Sequence, residues 1–225
     1  MENLATTRPI DPQAEVSPLT QRLARFALRV WGWEVEAWEV PDDMKKVVIA
    51  GEHHTSNVDG FLMVLITAAM GRKLSWLVKE ELNQPVIGGM IRASGGIFVD
   101  RHAPKGTVGE AIDRINESEH IFLVMAPSST RKKTDKWRSG FYYMALGAEV
   151  PIGLGYIDYA RKKGGVGKVI VPSGDIKADE PIFQQFFENV TALHPEQVST
   201  VRLDPPAKLP KPEVDSTVHE GEAND

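Results

Sequence analysis

The residues best suited to chemistry lie in the segment 51–60, which reads Gly-Glu-His-His-Thr-Ser-Asn-Val-Asp-Gly. His54 and Asp59 are five positions apart, and a helix is predicted to begin between them. A carboxylate on the first turn of a helix can accept a hydrogen bond from Nδ1 of the histidine, which leaves Nε2 free to act as a general base. The spacing alone is not specific, because a histidine beside Ser56 is equally compatible with a helix cap.

Other common catalytic motifs are absent from the chain. It has no Gly-x-Ser-x-Gly elbow, no Walker A sequence and no Gly-x-Gly-x-x-Gly after a strand, so standard serine hydrolases and nucleotide-binding folds are not indicated. The lack of cysteine excludes thiol nucleophiles and thiolate metal sites. A metal-dependent hydrolase built on His53, His54, Asp59 and His102 stays as an alternative, although the spacing matches no familiar zinc site and we predict no metal.

Strands and helices alternate along the chain and must position this segment. Short apolar runs predict strands at 47–50, 74–78, 96–99, 121–125, 150–156 and 168–172, and helical periodicity appears at 58–70, 108–117, 141–146 and 182–189. The glycine-rich run 164–167 is predicted to be a turn. This alternation predicts a single α/β domain with a central mixed β-sheet flanked by helices.

Residues 17–33 are predicted to form an N-terminal amphipathic helix. Ser17 and Pro18 provide a start signal, and apolar residues recur at three- and four-residue intervals beside Arg22, Arg25 and Arg29. Arginines beside an apolar face that ends in tryptophans are typical of a helix that lies in a membrane interface. A helix docked on its own domain is the equally weighted alternative.

Charge and composition bound the remaining possibilities. The formal charge of −5 argues against nucleic acid as a partner. We expect residues 1–16 to form a flexible arm, 17–203 the folded domain and 204–225 a disordered acidic tail, which has six acidic residues against two lysines. No segment reaches the roughly 20 apolar residues of a membrane span, and no signal peptide is evident.

A series of motifs nevertheless resembles the glycerophospholipid acyltransferase family. The run from His54 to Asp59 resembles the family's His-x4-Asp motif in its H-T-S-N-x-D form. Further blocks follow in the family's order: Lys79–Leu82, Gly95–Arg101, Pro127–Arg131, Trp137–Tyr143, Val150–Ile152, Gly155–Tyr159 and Ser173–Ile176. The resemblance covers about two-thirds of the chain, from Trp31 to Phe187, and several ordered blocks are far more specific than one motif.

The resemblance implies transfer of a fatty acyl group from acyl-CoA or acyl-carrier protein to a lysophosphatidic-acid-like acceptor in phospholipid synthesis. His54 is then the general base and Asp59 orients it, with no cofactor required. The substrate-binding positions that the motifs imply are Lys79, Gly95, Gly96, Arg101, Ser128, Ser129, Thr130 and Arg131. The implied partners are the acyl donor, a lysophospholipid and a membrane surface that residues 17–33 contact, which implies a cytoplasmic protein at the inner face of the membrane.

One motif departs from the family pattern. The family's Pro-Glu-Gly-Thr-Arg is Pro127-Ser128-Ser129-Thr130-Arg131 here, so serine replaces both the glutamate and the glycine. A serine hydroxyl lacks the charge of a carboxylate, and Ser129 has less backbone freedom than glycine. The alternative function is therefore a catalytically weakened homologue that binds lipid or acyl carrier without turnover.

Overall fold

A central mixed β-sheet organises the fold. The computed structural model describes residues 16–36, 44–100 and 103–205, and the strands in this part of the chain are β1 (Glu34–Val35), β2 (Lys46–Gly51), β3 (Trp76–Lys79), β4 (Gly96–Val99), β5 (Ile121–Met125), β6 (Ile152–Asp158) and β7 (Lys163–Ile170). The main sheet has the order β1-β7-β6-β2-β5. A parallel bridge between Ser75 and Leu123 connects it to the β3-β4 pair.

The strands at the centre of the sheet run in one direction. β2 lies between β5 and β6 and pairs with both in parallel, with Val48 opposite Leu123 on one side and Ile152 on the other. The β6–β7 pair is antiparallel. The carboxyl ends of β5, β2 and β6 therefore meet at one edge of the sheet, which is where open α/β sheets bind their ligands.

Helices cover both faces of the sheet. In the described chain they are α1 (Pro18–Val30), α2 (Asn57–Ala69), α3 (Ile87–Ser94), α4 (Gly106–Glu117), α5 (Gly140–Gly147) and α6 (Ile176–Phe187). Val48 and Ala50 of β2 face a cluster with α4, α5 and α6. The alternate residues Val47 and Ile49 face the side of α2, as the two-residue period of a strand requires. The predicted α/β fold with a mixed central sheet flanked by helices is thus confirmed.

The prediction of a turn at residues 164–167 was wrong, because these residues lie inside β7. Their glycines make close packing possible: a Cβ on Gly164 would be 2.5 Å from Ile66 of α2, and one on Gly167 would be 3.1 Å from the ring of Phe186. The three glycines indicated a turn between elements, but they lie in a strand because the side chains packed against it leave room only for small residues. Helix α6 also begins six residues earlier than predicted, with Pro181 inside it.

Helix α1 docks on the domain through a face other than its apolar stripe. Ala24 and Leu28 are buried against α2, and Arg25 Nε donates a 2.8 Å hydrogen bond to the Ala69 carbonyl. The larger apolar residues stay exposed on the opposite side; they are Leu19, Leu23, Phe26 and Val30. The docked-helix interpretation thus describes one face of α1, and contact of the outward face with a membrane stays a prediction.

The two predicted terminal segments fall mostly outside the part of the chain that the structure describes. Residues 1–15 of the predicted arm and 206–225 of the predicted acidic tail lie outside the described residues. Asp204, predicted to begin the tail, forms ion pairs with Lys136 and Lys177. Among the described residues, no helix is both long and apolar enough to cross a membrane.

The turn between α3 and β4 depends on a glycine, which provides a test of the fold. Gly95 has a φ of +105°, and a Cβ there would lie 2.1 Å from the Leu74 carbonyl oxygen. We expect Gly95→Ala to lower the free energy of unfolding by about 2–4 kcal/mol, because strain and overpacking add. The matched control is Gly89→Ala within α3, where a Cβ meets nothing within 4 Å.

Gly89→Ala should raise the free energy of unfolding by about 0.5–1 kcal/mol, because alanine favours a helix over glycine. Chemical denaturation of both variants measures the two effects. Equal stabilities for the two variants would contradict the packing role of Gly95.

Candidate active site

His54 and Asp59 lie at the carboxyl edge of the sheet. The segment of residues 51–60, named the His54 segment below, leaves the end of β2 and enters α2. Nδ1 of His54 lies 3.7 Å from Oδ2 of Asp59, which is an ion-pair distance rather than the predicted hydrogen bond. The imidazole is 31% exposed and the Asp59 side chain only 3%. Catalytic hydrogen bonds are often long before substrate binds, so this geometry is compatible with a working pair.

Three donors hold the Asp59 carboxylate in place. Oδ2 accepts hydrogen bonds of 2.7 Å from the backbone amides of Thr55 and Ser56, and Oδ1 accepts a 2.6 Å bond from the Tyr159 hydroxyl. Ser56 in turn caps the helix by accepting from the Val58 amide, so Asp59 completes a capping box. The capping role considered for this segment is therefore real, and it orients the same carboxylate that faces His54.

The electrostatic surroundings favour a neutral His54. Burial lowers its pKa below the ordinary value of 6.5, and the positive charge of Arg131 lowers it further, while the negative charge of Asp59 opposes this shift. A neutral imidazole is the form that can accept a proton. The pair is therefore suited to general-base chemistry near neutral pH.

The residues after β5 form the second part of the site. This segment, residues 126–131, is named the Ser128 segment below. Ser128 is 5% exposed, and its hydroxyl donates a 3.0 Å hydrogen bond to the Thr130 carbonyl. Ser129 has a φ of +56°, so serine occupies a left-handed conformation at the position of the motif's glycine. Arg131 donates a hydrogen bond to the side chain of Asn57, which brings its charge beside the His54 segment.

Glu52 is a site residue that sequence reasoning missed. Its side chain is buried, and its two oxygens accept hydrogen bonds from the backbone amides of Ser128 and His54. Burial raises the pKa of this carboxyl, and the charge of Asp59 adds to the rise, while the bonds from Ser128 and His54 oppose it. The available signal was an acidic residue directly after a short apolar strand and two residues before the motif histidine, since acidic residues are seldom buried without a partner.

An apolar cavity of about 290 Å³ opens beside His54. It lies between α2 and the sheet face that carries Ile49, Val124 and Val166, with Met63 on the helix side. Glu52, His53, His54 and Asp59 contribute to its wall. Its size is at the lower end of the range for small-molecule pockets, about 300–1,000 Å³.

Of the predicted binding residues, Ser128 and Arg131 bond to residues of the His54 segment, whereas Lys79, Gly95 and Gly96 lie on other elements. The carboxyl end of β3 carries Lys79, which is exposed and in register with Val99. Gly95 and Gly96 are required for packing, since a Cβ on Gly96 would lie 2.2 Å from Ile91. Arg101 falls outside the described residues.

The metal alternative finds no support among these side chains. Within the described ranges, no group of three or more histidine, aspartate or glutamate residues is arranged to hold a metal ion, and His102 lies outside those ranges. His53 is directed elsewhere: its Nε2 lies 3.2 Å from the Phe187 carbonyl oxygen, and its ring packs against the Phe187 ring.

Comparisons with known proteins found a matching family model and a similar solved structure. The family model described as Acyltransferase matches residues 34–154. No curated protein matches the chain. Among solved structures, the chain is similar to the 1-acyl-sn-glycerophosphate (LPA) acyltransferase, PlsC, from Thermotoga maritima, with a TM-score of 0.50 and 19% identity over 76% of this chain and 77% of that one. At this identity the match supports the fold.

The charges around His54 predict the direction in which two substitutions move its pKa. Arg131→Gln removes a positive charge and should raise the pKa of His54, whereas Asp59→Asn removes a negative charge and should lower it. Nuclear magnetic resonance titration of the imidazole measures both shifts. Lys45→Gln is the matched control, because it removes one exposed charge at the opposite end of β2.

The control should leave the pKa of His54 unchanged. Shifts of the same sign in Arg131→Gln and Asp59→Asn would contradict the electrostatic description of the site.

Proposed function

Because the chain belongs to the acyltransferase family, we propose that it transfers a fatty acyl group from a thioester donor to the hydroxyl of a lysophosphatidic-acid-like acceptor. The donor is acyl-CoA or acyl-carrier protein. The observation that carries the proposal is the apolar cavity that opens directly beside a histidine whose pKa is lowered. An apolar slot suits a fatty acyl chain, and a neutral imidazole at its wall suits removal of a proton from an attacking hydroxyl.

The proposed reaction uses one base and no covalent enzyme intermediate. Nε2 of His54 removes the proton of the acceptor hydroxyl as its oxygen forms a bond to the thioester carbon. The carbon–sulfur bond then breaks, and the thiolate that leaves takes the proton back from the imidazolium. Asp59 stabilises the charged imidazolium between these steps, since its carboxylate lies 3.7 Å from Nδ1.

Cations near the site would bind the phosphate of the acceptor. Arg131 donates a hydrogen bond to the side chain of Asn57 in the His54 segment. Lys79 is the last residue of β3 and is exposed at the carboxyl edge. Arginine binds phosphate through two parallel hydrogen bonds, which makes Arg131 the better candidate for direct contact. Arg101 lies outside the described residues, and only the motif resemblance adds it to the proposed set.

The proposal predicts the cost of removing the base. His54→Ala should lower turnover by about 10²–10⁴-fold, because proton removal is lost while the fold is retained. Asp59→Asn should cost less, because the imidazole remains. A thiol-release assay with acyl-CoA against lysophosphatidic acid and glycerol phosphate measures the rates, with His120→Ala as a control at the opposite end of the sheet.

Turnover in the active enzyme should also fall as the pH decreases through the lowered pKa of His54, because the protonated ring cannot accept a proton. Near-normal turnover in folded His54→Ala would remove the mechanism. If the unaltered protein binds lysolipid but releases no thiol, the alternative of a binding protein without turnover is favoured.

The outward face of α1 supports a proposed contact with a membrane surface at the inner face of the cytoplasmic membrane. Phe26 is 67% exposed and Val30 72%, and Phe61 on the neighbouring α2 continues this face, with its ring 6.2 Å from that of Trp31. Exposed apolar residues in such a group usually mark an interaction site. Arg22 and Arg29 flank the stripe, as on helices that bind anionic lipid.

The membrane proposal predicts a loss of vesicle binding from surface substitutions. Leu23→Ser together with Phe26→Ser should weaken sedimentation with anionic vesicles about tenfold or more, because apolar side chains no longer insert. Val171→Ser is the matched control: Val171 is 82% exposed but follows β7 and lies on neither α1 nor α2. Arg22→Gln with Arg29→Gln should weaken binding mainly at low salt.

Deletion of residues 17–33 is a poorer test, because Ala24, Leu28 and Trp33 are buried in the domain. Unchanged sedimentation of the double serine variant would argue that α1 serves only to pack on the domain.

A further inference from the structure

Glu52 connects the two segments that form the site. Its Oε1 accepts a 2.6 Å hydrogen bond from the Ser128 amide, and its Oε2 accepts a 2.9 Å bond from the His54 amide. The two amides belong to segments that leave different strands, β5 and β2, and are 74 residues apart in the chain. One carboxylate therefore links these two stretches of main chain just beyond the last paired residues of β2 and β5, Ala50 and Met125.

The position of this carboxylate is costly for the fold. Glu52 is 4% exposed, and a buried charge lowers stability unless hydrogen bonds compensate for it. The compensating donors are backbone amides, and such bonds orient main chain rather than long flexible side chains. An apolar residue at the end of β2 would avoid the cost of burial but would leave two amides without their acceptor.

Ser128 lies directly against this carboxylate. The serine is itself buried, and its amide donates to Glu52 while its hydroxyl donates to the Thr130 carbonyl. A glutamate at position 128 would bring a second carboxylate into the same buried space, where two like charges cannot both be accommodated. Two charged carboxylates at positions 52 and 128 would therefore destabilise each other.

We propose that Glu52 is a positioning residue of this site, whose carboxylate takes the place of the one that position 128 lacks and holds His54 and Arg131 in a common geometry. The inference rests on the proposed acyl transfer. It explains why serine at position 128 is compatible with an intact site: the acid is supplied from the end of β2. A displacement of about 1 Å in a catalytic group can reduce a rate on the order of 100-fold, so the connection matters for turnover.

The test is an exchange of the two residues. The variants are Glu52→Ala, Glu52→Gln, Ser128→Glu and the double variant Glu52→Ala with Ser128→Glu. Glu52→Ala and Ser128→Glu should each lower kcat about 10–100-fold, the first by removing the carboxylate and the second by crowding it. The double variant should recover to within about threefold of the unaltered protein, because a single carboxylate is present again.

Glu52→Gln keeps the shape of the side chain and guards against a variant that fails to fold. One of its two terminal atoms is an NH2 group, which cannot accept from an amide, so its kcat should lie between those of the unaltered protein and Glu52→Ala. Glu119→Gln is the matched control, because Glu119 is exposed and pairs with Lys45 at the opposite edge of the sheet. KM for the acyl donor should change less than kcat.

The proposal is overturned if folded Glu52→Ala keeps its kcat, or if the double variant shows only the product of the two single losses. A role in filling space alone would give the same recovery when Glu52→Ala is combined with Ser128→Gln, which restores the volume without a carboxylate. Recovery with glutamate but not with glutamine at position 128 therefore distinguishes a positioned carboxylate from simple packing.

A second measurement separates this inference from the proposed function. If the unaltered protein transfers no acyl group from any donor, acyl transfer fails, but hydrogen exchange of the His54 and Ser128 amides still tests the connection. Both amides should exchange at least about tenfold faster in Glu52→Ala, relative to the Leu123 amide in β5, and the His54 amide should regain protection in the double variant. Unchanged exchange in Glu52→Ala overturns the role of Glu52 whatever the activity.

Discussion

The parallel direction of β5, β2 and β6 is the constraint on which the site depends. Because the three strands are neighbours and run the same way, the residues that follow them meet at one edge. β2 contributes Glu52 and His54, β5 contributes the Ser128 segment and β6 contributes Tyr159. Antiparallel pairing at either side of β2 would move one of these parts to the far edge.

The buried polar groups at this edge act as one network. Asp59 is held by Tyr159 from β6 and by the amides of its own helix cap, while Glu52 joins the β2 and β5 ends. Each carboxylate is buried and accepts bonds from several donors, as buried charges require. The exposed pair of Arg131 and Asn57 adds a link on the solvent side. The orientation of His54 therefore depends on groups from three strands.

Besides the core, the molecule has an apolar cavity and an exposed apolar surface, and both suit the lipid substrate that we propose. The cavity beside His54 separates α2 from the sheet, and the outward faces of α1 and α2 carry exposed apolar side chains. Trp33 packs edge-on against Tyr159, so the segment after α1 also supports the residue that bonds Asp59. The proposed membrane contact and the proposed catalytic pair are thus connected through the packed rings of Trp33 and Tyr159.

Most of the strands and helices, the start of α2 close to Ser56 and the proximity of His54 to Asp59 could be predicted from the sequence, because capping residues and apolar periods act over a few positions. Strand β1 and helix α3 were not predicted. The glycines of β7 were misread, since only the ring of Phe186 and the side chain of Ile66 explain them. The tertiary structure decided which face of α1 docks, because that face packs against α2. It also decided the distance from His54 to Asp59, because backbone amides already donate hydrogen bonds to the Asp59 carboxylate. The hydrogen bond from the Ser128 amide to Glu52 joins residues that are far apart in the sequence. No local pattern predicts which distant amide will donate to a buried carboxylate.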